Sequence, residues 1–117
     1  MTWIPLFKIS SKDFEKDLVI LKKIMNSFEI KVHIKNGYKF SSDAKLAMGW
    51  WFYEIFVKIE FFKKLVKMEH QINPKIKDER DVVELIQNQV KKSGSKARVK
   101  LVSKPSIFTK YWTWLLK

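Results

Sequence analysis

The 117-residue chain has no cysteine, only three glycines and three prolines, and only two arginines, Arg80 and Arg98, among its 24 basic residues. Without cysteine there can be no disulfide framework, no thiolate metal site and no thiol nucleophile, which suits a reducing compartment. With so few glycines there is no Gly-rich phosphate loop, and neither G-x-S-x-G nor H-x-x-x-H occurs. No run of 18 uncharged apolar residues is present, so no membrane-spanning segment is expected. The opening residues, MTWIPLFKISSK, lack a basic start, a sustained apolar run and a small-residue cleavage site. An intracellular setting, cytoplasmic or organellar and not secreted, is therefore expected. Acid is the most unevenly missing feature. Residues 1–84 carry 16 basic and 12 acidic side chains, whereas residues 85–117 carry 8 basic and none acidic.

What is present is enough for a core. Apolar residues make up 46% of the chain and aromatics 15%, so intrinsic disorder is not expected and one domain spanning 1–117 is. The net charge of +12 calls for a polyanionic partner: nucleic acid, lipid headgroups or an acidic protein surface. Lysine outnumbering arginine so heavily, beside nine phenylalanines, is also what an AT-rich genome writes.

Residues 2–9 are β-prone, but Pro5 cannot donate to a ladder, so an edge strand or arm is expected there. Ser10 and Asp13 have capping-box spacing before a helix over 11–28, with Phe14, Leu18, Leu21, Ile24 and Met25 on one stripe. Residues 29–35 alternate Ile30, Val32 and Ile34 with Lys31, His33 and Lys35, and Asn36-Gly37 follows, which predicts a hairpin into Tyr38-Lys39-Phe40. Residues 43–70, plotted at helical spacing, show two apolar stripes, one with Trp51, Phe52, Ile55 and Ile59 and one with Trp50, Val57 and Phe61. That pattern predicts a long central helix buried on two sides. Residues 78–92 place acids first and lysines last, complementing a helix dipole. Residues 96–102 alternate again, with Lys96, Arg98 and Lys100 on one face and Ala97, Val99 and Leu101 on the other. Residues 106–116 fit a helix by spacing and a strand by composition.

The expected fold class is α+β, a small antiparallel sheet packed on a long central helix. The order is β-α-β-β-α-α-β with a final helix, one helix beyond the split βαβ arrangement of ferredoxin-like folds. That fold class hosts many unrelated functions, so it decides little about activity.

No catalytic constellation stands out, and no catalytic residue, metal site, cofactor or small-molecule substrate is expected. His33 and His70 lie in different elements, with no spacing that implies a shared metal. The cluster Asp78, Glu79 and Asp81 could be read as a Mg²⁺ or acid–base group, but lysines at the far end of the same segment favour helix capping.

The binding candidates lie in the basic, aromatic segment 91–117. Lys96, Arg98 and Lys100, two residues apart on a strand, are spaced about 6.5–7 Å, close to the phosphate repeat of an extended nucleic-acid strand. Lys91, Lys92, Lys104 and Lys110 extend the charge, and Tyr111, Trp112 and Trp114 are candidates for stacking on bases. The same aromatics could equally finish a core. The stretch VSKPSIFTKY, residues 102–111, resembles the S-K-P-[GS] segment, with a tyrosine following, of the eighth small-subunit ribosomal protein family. It spans ten residues, without that family's glycine-rich C-terminal signature, and the resemblance implies binding to rRNA.

Three functions stay open. The first is a non-catalytic nucleic-acid-binding protein, RNA favoured, serving as a small structural component of a ribonucleoprotein such as a ribosome. The second is an adaptor or inhibitor that docks an acidic surface of another protein complex. The third is a peripheral membrane protein, anchored by KYWTWLLK with lysines on anionic headgroups.

Overall fold

The computed structural model describes residues 3–102. The fold is α+β, a five-stranded antiparallel sheet with three helices. Strand β1 spans Trp3–Ser11, helix α1 Phe14–Val32, and the short strands β2 and β3 span Tyr38–Phe40 and Lys45–Ala47. Strand β4, Trp50–Lys58, runs directly into α2, Ile59–Ile72, and then come α3, Glu79–Lys92, and β5, Arg98–Leu101.

Helix α1 starts three residues later than the Ser10–Asp13 spacing suggests: Ser10 and Ser11 belong to β1, and Asp13 is itself the N-cap, its carboxylate accepting from the Lys16 amide. It also runs one turn further than its first stripe suggests. Residues 29–32 are helical, so no strand covers 29–35. Val32 falls four residues after Phe28 on the buried stripe of Leu21, Met25 and Phe28, so extending the helix buries one more side chain. Ile30 is left 75% exposed by that choice. The helix stops at His33, in the left-handed region, whose amide bonds back to Glu29 and Ile30.

Asn36-Gly37 therefore joins a helix to a strand and does not close a hairpin. Gly37 is needed for space: a Cβ there would run into the Phe61 ring. Its amide donates to Glu29 Oε2 at 2.8 Å and its carbonyl accepts from the Lys58 amide at 2.9 Å.

The expected helix over 43–70 is two strands followed by a helix. Neither apolar stripe survives as a face, because β4 sorts the same residues by alternation: Tyr53, Ile55 and Val57 point into the core, and Trp50, Phe52, Glu54, Phe56 and Lys58 point away from it. Aromatic and β-branched residues fill WWFYEIFV, and such side chains fit a pleated surface better than a helix. The β3–β4 hairpin closes through Met48 and Gly49, both at positive φ, the conformation of a two-residue loop that follows strand twist. From Ile59 the spacing is truly helical, and Phe61, Phe62, Leu65 and Val66 are buried.

Across the sheet the order is β2-β4-β1-β5, with β3 lying beyond β2 along the same edge of β4. Each crossover skips one strand. Helix α1 leads from β1 past β4 to β2, and α2 with α3 lead from β4 past β1 to β5, a split βαβ plan with one added helix. Strand β1 is central, contrary to the edge position expected from Pro5. Pro5 is tolerated because it lies at an irregularity in the β1–β4 pairing, and β5 reaches only to Leu101 opposite Phe7.

The helices bury their stripes against Phe7, Ile9, Tyr53, Ile55, Val57 and Val99 in one continuous core, where Phe7 meets Phe62 edge to face. Asp17 is buried and accepts from Ser11 Oγ and Ser95 Oγ, each at 2.6 Å, tying α1 to the end of β1 and to the loop before β5. Beside it the Tyr53 phenol is pushed up to about 12, mainly by burial, with the Ser11 hydroxyl pulling it down and the Asp17 carboxylate pushing it up. The outer edge of β5 is closed by a side chain: Gln87 Nε2 donates to the Ala97 carbonyl, and the Val99 amide donates to Gln87 Oε1.

Candidate nucleic-acid interface

The three helices lie on the inner side, and among the described residues the other face of the sheet is left to side chains alone. Register fixes which of them are neighbours. At one end Trp3 stands opposite Lys58, and the next row runs Pro5–Phe56–Lys39. The central row is Lys100–Lys8–Glu54, and beyond it runs Arg98–Ser10–Phe52–Lys45. Trp50, opposite Ala47, closes the far end. Among the described residues, the outward positions of the strands thus hold Lys8, Lys39, Lys45, Lys58, Arg98 and Lys100 against one carboxylate, Glu54.

Aromatic rings and cations alternate on this face and touch. Lys39 and Lys58 place their ammonium groups 4.8 and 5.1 Å from the Trp3 ring centre. Lys39 also reaches Phe56 at 5.8 Å. At the other end Lys12 and Arg98 lie 4.9 and 5.6 Å from the Trp50 ring. Each contact stabilises by about 0.5–1 kcal/mol at an exposed site, enough to orient the side chains without locking them. Between the two ends Phe52 is 44% exposed, and an open depression is lined by Lys8, Ser41, Asp43, Lys45, Phe52, Glu54 and Phe56.

Of the residues singled out in the sequence, Arg98 and Lys100 lie on this face, while Ala97 and Val99 turn inward and are buried. Lys96 is exposed in the loop just before β5. Lys91 and Lys92 are exposed in the last turn of α3, in the helical layer and off the sheet face. Lys104, Lys110, Tyr111, Trp112 and Trp114, with the 106–116 segment and most of the 102–111 stretch, lie outside the described residues. Trp3, Lys8, Lys39, Lys45, Trp50, Phe52, Phe56 and Lys58 were not anticipated as a group. For the four on β4 the available signal was the aromatic and β-branched run WWFYEIFVK, which helical spacing absorbed into stripes; Trp3, Lys8, Lys39 and Lys45 join them only through strand pairing.

The acidic cluster is engaged in capping. Asp78 accepts from the amides of Arg80 and Asp81, and Asp81 accepts from those of Asp78 and Lys77. Glu79 beside them is buried, and its carboxyl is pushed above the ordinary range, first by burial and then by Asp78 and Asp81. His70 bonds the Ile76 carbonyl at 2.8 Å and closes the α2–α3 turn, while Glu69, buried in α2, pairs with Lys31 at 2.6 Å. Among the described residues no three His, Asp or Glu side chains are grouped to hold a metal ion. No helix among them is long and apolar enough to cross a membrane. No protein-family model, curated protein or solved structure matches this chain.

Proposed function

We propose that the protein binds nucleic acid without catalysis, RNA being the favoured ligand, as a small structural component of a ribonucleoprotein. The observation that carries this reading is the outer sheet face, where Trp3, Trp50, Phe52 and Phe56 alternate with Lys8, Lys39, Lys58, Arg98 and Lys100. Cations attract phosphates through a salt-dependent, sequence-independent term. Rings beside them offer flat apolar surfaces to bases, and an open antiparallel sheet presents both at once. An acidic protein surface would use the cations too, and the rings suit a protein interface as well, so direct RNA binding is what separates the readings.

An adaptor function has one observation of its own: Leu46 and Met48 on the β3–β4 hairpin are 59% and 99% exposed, apolar groups suited to a protein contact. A titration of the purified protein into fluorescent RNA, followed by anisotropy at low salt, separates the two. Binding in the low micromolar range or tighter supports the nucleic-acid reading. Absence of binding at about 50 mM salt sinks it, because the electrostatic term is strongest there.

A further inference from the structure

We infer that the sheet face takes an unpaired strand in preference to a duplex, laid along β4 with phosphate on Lys8 and Lys100 and bases on Trp50, Phe52 and Phe56. This rests on the nucleic-acid reading above. The first reason is the central row. Lys8 and Lys100 are directly opposite in the β1–β5 register, both exposed, and like charges in that position repel. Glu54 compensates Lys8 from the other side, but among the described residues no acid stands beyond Lys100, which lies on the last strand of the sheet. A phosphate between the two lysines would turn the repulsion into attraction.

The second reason is spacing. Outward residues of β4 recur about every 6.6 Å, the reach of one nucleotide in an extended strand, so Trp50 to Phe56 spans about 20 Å, or about four nucleotides. Rings fall on both sides of the phosphate row: Phe52 and Trp50 on one, Phe56 and Trp3 on the other. Lys12, Arg98, Lys39 and Lys58 stand over the tryptophans. When a base takes the ring, each of these long side chains can turn to a neighbouring phosphate.

The third reason concerns the duplex. Its bases are stacked on one another and would leave the rings idle, and the major groove admits a helix or a two-stranded ribbon, narrower than this four-strand width.

The test measures affinity at fixed salt for unpaired RNAs of two to twelve nucleotides and for a blunt duplex of the same sequence. The wild-type protein is compared with Phe52→Ala, which removes a ring 44% exposed and outside the core, and thermal melting verifies that this variant folds. Affinity for unpaired RNA should rise steeply up to about four nucleotides and exceed that for the duplex at least about tenfold. Phe52→Ala should lose about 5–150-fold on unpaired RNA and little on the duplex. Equal affinity for the two forms, with no effect of Phe52→Ala, overturns the inference while leaving nucleic-acid binding in place. Failure of both forms to bind at low salt overturns both readings.

Discussion

At the scale of single residues, two positions show how local chemistry and packing set stability. Gly37 is fixed by its neighbour: the Phe61 ring occupies the space a Cβ would need. Gly37→Ala should destabilise the protein by about 1–3 kcal/mol, the usual cost of overpacking, read as a lower urea midpoint at unchanged slope. The Asn-Gly pair was legible as a turn, but Phe61 lies 24 residues away in the chain, so the packing reason for the glycine was not. Glu79 acts through pH. Its carboxyl is raised when folded, so the folded state holds a proton that the unfolded state releases more readily. Its contribution is therefore complete at acid pH and is lost as pH rises through the folded value. Glu79→Gln removes that loss, so it should stabilise the protein at pH 7, with a gain that shrinks as pH falls below the ordinary carboxylate range. Urea melts at several pH values check this, and a gain independent of pH would mean that burial of the charge is not the cause.

At the scale of elements, the hairpin and the β1–β5 pair carry the consequences. Met48 adopts a left-handed conformation that costs an ordinary L-residue on the order of 1 kcal/mol. Met48→Asn should stabilise the β3–β4 hairpin by a few tenths of a kcal/mol to about 1 kcal/mol, seen as a higher melting temperature. Lys100→Glu makes a sharper point, because it replaces the Lys8 repulsion by an attractive cross-strand pair. Stability should rise by about 0.2–1 kcal/mol while RNA affinity falls, a pair of opposite changes that a purely structural role for Lys100 does not produce. Elements with a single repeating signal were legible: α1 from its stripe, α3 from its charges, β5 from its alternation. The 43–70 region was not, because a nearly continuous apolar nine-residue strand joined without a break to an amphipathic helix leaves apolar residues at both spacings. The absence of Asn-Gly or Asp-Gly at residues 48–49 hid the hairpin that joins β3 to β4.

At the scale of the whole molecule, the layered plan decides what is available to a partner. Among the described residues, three helices consume the inner face of the sheet, and its outer face carries cations and rings drawn from β1, β2, β3, β4 and β5. The sequence placed the excess charge at residues 85–117, and Arg98 and Lys100 do lie on that face. The rest of the face could not be read linearly, since Lys8, Lys39 and Lys58 come to one face only through the split βαβ strand order. Location, not total charge, is therefore the central claim. It is tested most directly by comparing two double variants that change net charge equally, Lys8→Glu/Arg98→Glu on the sheet face and Lys91→Glu/Lys92→Glu on α3. Each is titrated with single-stranded RNA across a series of salt concentrations. Loss of two phosphate contacts should lower the log–log salt slope of the sheet variant by about 1.4 and cost it at least about tenfold in affinity. The α3 variant should keep the wild-type slope and most of the affinity. Equal losses in the two would contradict the account and reduce the binding to bulk charge.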